Sequence, residues 1–135
     1  MAGIKVTAAD KAFADCVKEA YDHTCQVCGV QGRMELSHIH SRRHRNIRWA
    51  KDNGLPKCFN CHAWWHQHPT ESGVWFRNKY GEQFADRLIE KKNEYVKVPK
   101  TEEKAIAKHY REQTKMIREK RESGQTGFID FESWQ

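Results

Sequence analysis

The spacing of apolar and polar positions divides the chain into a helical start, a short extended centre and a helical second half. Phe13, Val17, Ala20 and Tyr21 recur at helical intervals, and Thr7 with Asp10 has the form of a capping box, so a helix is predicted over residues 7–23. Cys16 within it reads as a small buried apolar residue. Over residues 34–40 the period drops to two. Met34, Leu36, His38 and His40 fall on one face and Glu35, Ser37 and Ile39 on the other, which predicts a strand with two histidines side by side. A second short strand is expected at residues 47–49, after an arginine-rich loop. Asp52-Asn53-Gly54 is a turn signal, and Pro56 fixes the chain before a helix from Phe59 or Asn60 to about Gln67, ended by Pro69.

Two helices follow, over residues 70–80 and 82–95, parted by Gly81. Trp75 and Phe76 mark the first; Phe84, Leu88 and Tyr95 mark the second. A last helix runs from Pro99 or Thr101 to about Glu122 with a thin apolar stripe of Ile106, Tyr110 and Ile117. That stripe predicts packing against another surface, with a homodimer contact as one case, or an exposed or DNA-facing arm. The expected fold is α+β and mostly α. Residues 1–24 form an N-terminal helix, 25–69 a small core, 70–98 helices packed on it, 99–123 a basic helix and 124–135 an acidic tail, all in one domain.

A chain of 135 residues supports one domain of ordinary size. No apolar run approaches the roughly 18 residues needed to cross a bilayer, and the N-terminus lacks the layout of a signal peptide. No membrane partner is therefore expected, and the expected location is cytoplasmic. The net charge is +6, with eight His and five Cys besides. Residues 31–51 carry a net +5, an almost purely basic run that suggests phosphate contacts. Residues 97–122 carry +4 with the signs mixed, which reads as a solvated helix face joined by i,i+4 pairs.

Cys25-x-x-Cys28 and Cys58-x-x-Cys61 are the most specific signal. Two such pairs supply four thiolates, the closed tetrahedral set that suits structural Zn²⁺; two strained CxxC disulfides are the rival reading. A second set lies within and after the 29-residue loop between the pairs: His38, His40, Asn53, His62 and His66. His62 and His66 are one helical turn apart and can grip one ion. A hairpin facing a short helix, with His on the strand, Asn in the loop and His on the helix, is a ββα-metal layout. His23, His44 and His68 read as surface histidines.

These residues carry a resemblance. Cys25/Cys28, His38, Asn53 and Cys58-x-x-Cys61-His62 match in order and spacing the HNH endonucleases that have a zinc knuckle. Within that family the chain is most similar to the phage NinG/Rap recombination endonucleases, through His38-x-x-Ser41-Arg42, Arg48-Trp49-x-x-x-Asn53 and Cys58-x-x-Cys61. The likeness spans about residues 25–92. Two positions depart from it. Ser37 stands where most members have an Asp or His metal ligand, and His62 follows the last Cys where the phage branch often has Asn.

The resemblance implies a metal-dependent DNA endonuclease, phage-encoded and acting in recombination or DNA processing on duplex or branched DNA in the host cytoplasm. His38 would be the general base and Asn53 would orient the hairpin or the base. His62 and His66 would hold one divalent cation, with His40 as an alternative ligand. Mg²⁺ or Mn²⁺ is the expected catalytic ion, although imidazole ligands also suit Ni²⁺, Co²⁺ and Zn²⁺. Arg42, Arg43, Arg45 and Arg48 would contact DNA phosphates. The alternative is a non-catalytic zinc module that binds nucleic acid.

Overall fold

The computed structural model describes residues 4–135. Seven elements follow in order: α1 (Ala8–Ala20), β1 (Glu35–His38), β2 (Gly54–Lys57), α2 (Phe59–Gln67), α3 (Pro69–Tyr80), α4 (Glu82–Asn93) and α5 (Glu103–Glu122). The fold is α+β and mostly helical, with one two-stranded antiparallel sheet. No described helix is long and apolar enough to cross a membrane.

Thr7 caps α1 as expected. Its hydroxyl accepts the Asp10 amide, and the Asp10 carboxylate accepts the Thr7 amide at 2.8 Å. The helix ends at Ala20 rather than residue 23, because Asp22 and His23 adopt left-handed backbone (φ 53° and 50°) that turns the chain into the cysteine knuckle. α1 lies along α5 in the same direction: Phe13 meets Tyr110 edge-on at 5.0 Å, and farther along Glu19 meets Arg118. This pair holds the larger apolar cluster, which includes Phe13, Val17, Trp49, Tyr110 and Ile117. A smaller cluster of Ile47, Leu55, Phe76 and Leu88 joins the hairpin to α3 and α4.

The second strand is residues 54–57, not 47–49. Ile47, Arg48 and Trp49 are all buried, so they do not alternate, and they form a turn instead. Pro56 masks the true strand in the sequence. It is tolerated because alternate residues of a two-stranded ribbon point outward, where the Pro56 carbonyl accepts the Gln26 amide. At Gly54 a Cβ would come within 3.1 Å of the Phe13 ring, so only glycine lets α1 pack down on the hairpin. α4 stops at Asn93 because the Asn46 amide donates to the carbonyls of Lys91, Lys92 and Glu94; Tyr95, expected on its apolar face, is fully exposed.

Two expectations for the C-terminal half are corrected. The stripe on α5 is neither an exposed arm nor free for a second copy, since Ile106, Tyr110 and Ile117 are buried against α1 and the chain's own end. Residues 124–135 are not a loose tail. Ile129 and Phe131 are buried, the Ile129 amide donates to Ala20, the Trp134 amide to the Tyr110 hydroxyl, and Ser133 and Gln135 accept the amides of Lys51 and Trp49.

Candidate functional site

The knuckle turn supplies Cys25 and Cys28; the end of β2 and the first turn of α2 supply Cys58 and Cys61. Their ligand atoms all lie within 4.8 Å of one another, close enough to hold one metal ion, and all five cysteines of the chain are free thiols. The two-disulfide reading fails on that ground. Burial would raise the Cys25 thiol, but the backbone amides of Cys28, Cys58 and Val27 outweigh it and hold it down to about 6. Cys61 is pushed well up by burial and by its three sulfur neighbours. Four thiolates so close repel each other unless a cation sits among them.

The hairpin has two working faces. Leu36 and His38 turn toward α1, where the His38 ring lies 6.2 Å from Phe13. Glu35 and Ser37 turn toward α2. The His38 Nε2–H donates to the Arg48 carbonyl at 3.1 Å, which fixes the tautomer and leaves Nδ1 as the free lone pair. Burial pushes His38 down to about 4, against the opposing pull of that carbonyl, so the ring is neutral at ordinary pH.

Asn53 is fully buried and staples the loop between the strands. Its Oδ1 accepts the His40 amide at 2.8 Å, and its Nδ2 donates to the carbonyls of His40 and Ile47. Three successive carbonyls of the turn at 47–49 thus hold Asn53, His38 and the Tyr110 hydroxyl. The turn read as a strand is the bracket of the site.

On α2, the Nε2 atoms of His62 and His66 stand 3.1 Å apart, and the Glu35 carboxylate meets Nδ1 of His62 at 2.7 Å. Burial, His62 and Lys57 hold His66 below the usual range. His38, His62 and His66 line one groove of about 890 Å³ between α1 and α2, together with Arg42 and Arg43. His40 is not beside His38. It lies past the end of β1 and lines a second cavity of about 330 Å³ with His66, Trp65 and Phe76, where burial brings it down to about 4.

The arginines divide. Arg42 and Arg43 line the groove, where Arg42 also donates to the Ile4 carbonyl at 2.9 Å and stands 3.7 Å from the Asp10 carboxylate. Arg48 is buried and forms a two-pronged pair with Asp10 (2.9 and 2.5 Å), so it has no face for a phosphate. Arg45 is taken by the Val98 carbonyl and by Glu103 at 2.8 Å. Both are structural, and the expected DNA contact is withdrawn for them.

Sequence reading missed Asp10 as a hub. Besides capping α1 it accepts from Arg48 and from the Trp49 indole at 3.0 Å, and so sets the turn that carries the His38 anchor. It missed Glu35, whose period-two position was visible but whose facing helix was not. It also missed Lys57, fully buried, which donates to Ser37 Oγ at 2.8 Å and lies 3.4 Å from the Trp65 ring centre. Burial pushes Lys57 down to about 7, against the pull of Cys25 and Cys61. Ser37 is therefore committed to the Lys57 amine. No protein-family model matches this chain, and no curated protein or solved structure matches it either.

Proposed function

We propose that this protein is a metal-dependent DNA endonuclease of the HNH kind, resembling phage recombination enzymes, with a structural Zn²⁺ in its cysteine knuckle. The observation that carries the reading is His38: a half-buried, neutral imidazole with Nε2 held by a backbone carbonyl, sharing a groove with two histidines whose Nε2 atoms converge. The His62–His66 separation of 3.1 Å suits an N–H···N bond. It also suits two imidazoles on one cation, since bonds of about 2.1 Å at tetrahedral or octahedral angles separate the nitrogens by about 2.9–3.4 Å. Zinc is favoured in the knuckle because Cys28 and Cys58 sulfurs lie 3.8 Å apart, the edge of a tetrahedron with bonds of about 2.3 Å.

In this reading His38 Nδ1 takes the proton of the attacking water, and the Arg48 carbonyl, which already accepts Nε2–H, steadies the imidazolium that results. Arg42 and Arg43 hold the phosphate at the groove mouth. Asn53 keeps the loop closed so that base and groove stay in register. His62 and His66 hold the divalent ion, Mg²⁺ or Mn²⁺, which when bound offsets charge on the phosphate and leaving oxygen. Glu35 keeps the His62 ring turned toward it.

One observation favours the non-catalytic alternative. Ser37 occupies the position of a usual metal ligand and is committed to Lys57, so the described donors number two. Cleavage of supercoiled plasmid separates the readings. Wild type with Mg²⁺ or Mn²⁺ is expected to yield open circles or linear DNA, and His38→Ala to bind DNA without cutting it. Equal cutting by the mutant removes His38 as base; retardation without cutting by either protein moves the zinc-module reading ahead.

A further inference from the structure

The charges on α5 do not resolve into the i,i+4 pairs that a solvated helix face would form. Lys104, Lys108, Arg111, Lys115 and Arg118 succeed one another at intervals of four, three, four and three, so they fall on one exposed stripe of α5. From Lys104 to Arg118 the stripe is about 21 Å long. Among the described residues the first four form no ion pair, and only Arg118 has a partner, Glu19 of α1 at 3.1 Å. Glu112 and Glu119 stand to one side of the stripe and Glu122 ends it, and none pairs with its cations. Like charges at i,i+4 weaken a helix. The core takes a different face of α5, that of Ile106, Ala107, Tyr110, Thr114 and Ile117, so packing does not require cations here.

We propose that this stripe is a second nucleic-acid contact, a rail that follows the phosphate backbone of duplex DNA. The choice of DNA as the anion rests on the endonuclease reading. Duplex DNA carries one negative charge per about 1.7 Å of axis, so a straight row of five cations over about 21 Å meets several phosphates without reading sequence. The position fits a substrate that also reaches the groove. Arg118 touches one flank of α1, while Lys11 and Lys18 on another flank of the same helix line the groove beside His38. α1 thus stands between the end of the rail and the groove.

The test replaces Lys104, Lys108, Arg111 and Lys115 together by Gln, a helix former of similar propensity at exposed positions, with circular dichroism as the folding control. Binding to a short blunt duplex is followed by fluorescence anisotropy across a salt series, with no chelator and no added divalent ion. Each lost phosphate contact lowers the slope of log K against log salt by about 0.9, so the quadruple variant is expected to lose about 3 to 4 from the wild-type slope. A change below about 1 overturns the proposal, as does wild-type protein that does not bind the duplex. So does a variant that loses binding to poly-glutamate alone, which would assign the stripe to an acidic protein. Plasmid cutting is scored separately. A slope that falls while neither protein cuts leaves the rail standing and sinks the nuclease; cutting by both with unchanged slopes does the reverse.

Discussion

The two sides of this molecule are held together by different means. Around α1 and α5 the chain buries large side chains, among them Phe13, Trp49, Tyr110 and Ile117, and the C-terminal residues Ile129 and Phe131 close the cluster. α2 is placed differently: no residue of that nine-residue helix is buried, and its apolar contact with the smaller cluster runs through Trp65 against Trp75 and Phe76. What else fixes it is polar and local, namely four thiols, the Asn53 staple, the Lys57–Ser37 bond and the Glu35–His62 pair. Groups that do chemistry need water and charge, which a packed core excludes, so the site gains its order from cross-links and borrows rigidity from its neighbour. Asp10 is where the loan is made, since it belongs to α1 but fixes the turn that anchors His38.

Metal removal breaks the comparison most sharply. A strong chelator is expected to abolish amide protection in β1, β2 and α2 while α1 and α5 keep most of theirs, because thiolate–metal bonds supply folding energy to a region with little core. Hydrogen exchange with and without chelator measures this; equal loss in both regions would show that the two sides fold as one unit. Next in size is the link between them. Asp10→Ala leaves the buried Arg48 charge unpaired, and is expected to lower stability by about 3–5 kcal/mol in urea unfolding. Its cutting should fall as well, since the Arg48 carbonyl moves with its side chain.

The same contrast decides what could be read from the sequence. The capping box on α1, the three helices after Cys58 and the four cysteines were legible because each rests on local spacing. β2 was not, because Pro56 and Gly54 speak against a strand and only Phe13, far away in sequence, explains the glycine. The end of the chain read as a tail because its acidic residues hide Ile129 and Phe131, whose partners are remote: Ala20 for the Ile129 amide, and Lys51 and Tyr110 for Phe131. At the site, His38, Asn53, His62 and His66 follow from order along the chain. Arg45 and Arg48 looked like DNA contacts because their partners Glu103 and Asp10 are remote.

Acid should press harder on the site than on the core. His38 and His40 are held near 4 against an ordinary value near 6.5, so between those limits the unfolded chain binds protons that the folded chain does not. Stability is therefore expected to be full above about pH 6.5 and to decline as pH falls toward 4. The variant His38→Gln/His40→Gln isolates this contribution from that of the thiols. The gap between its melting temperature and that of wild type should shift in its favour as pH drops; a gap independent of pH would mean that neither ring is held neutral by the fold.

The smallest effect tests whether the polar side of the molecule is built for an ion or merely decorated. Glu35 is nearly half exposed, so its bond to His62 adds little to stability, and Glu35→Gln should melt close to wild type. If His62 and His66 hold a cation, however, the carboxylate that orients the His62 ring matters through the metal, and its loss is expected to weaken Mn²⁺ binding by about 10–100-fold. Isothermal titration of zinc-loaded protein with Mn²⁺ reads this without any cutting. An unchanged affinity would mean that the Glu35–His62 pair is a surface contact, and the convergence of the two histidines would then be no more than the hydrogen bond between their rings.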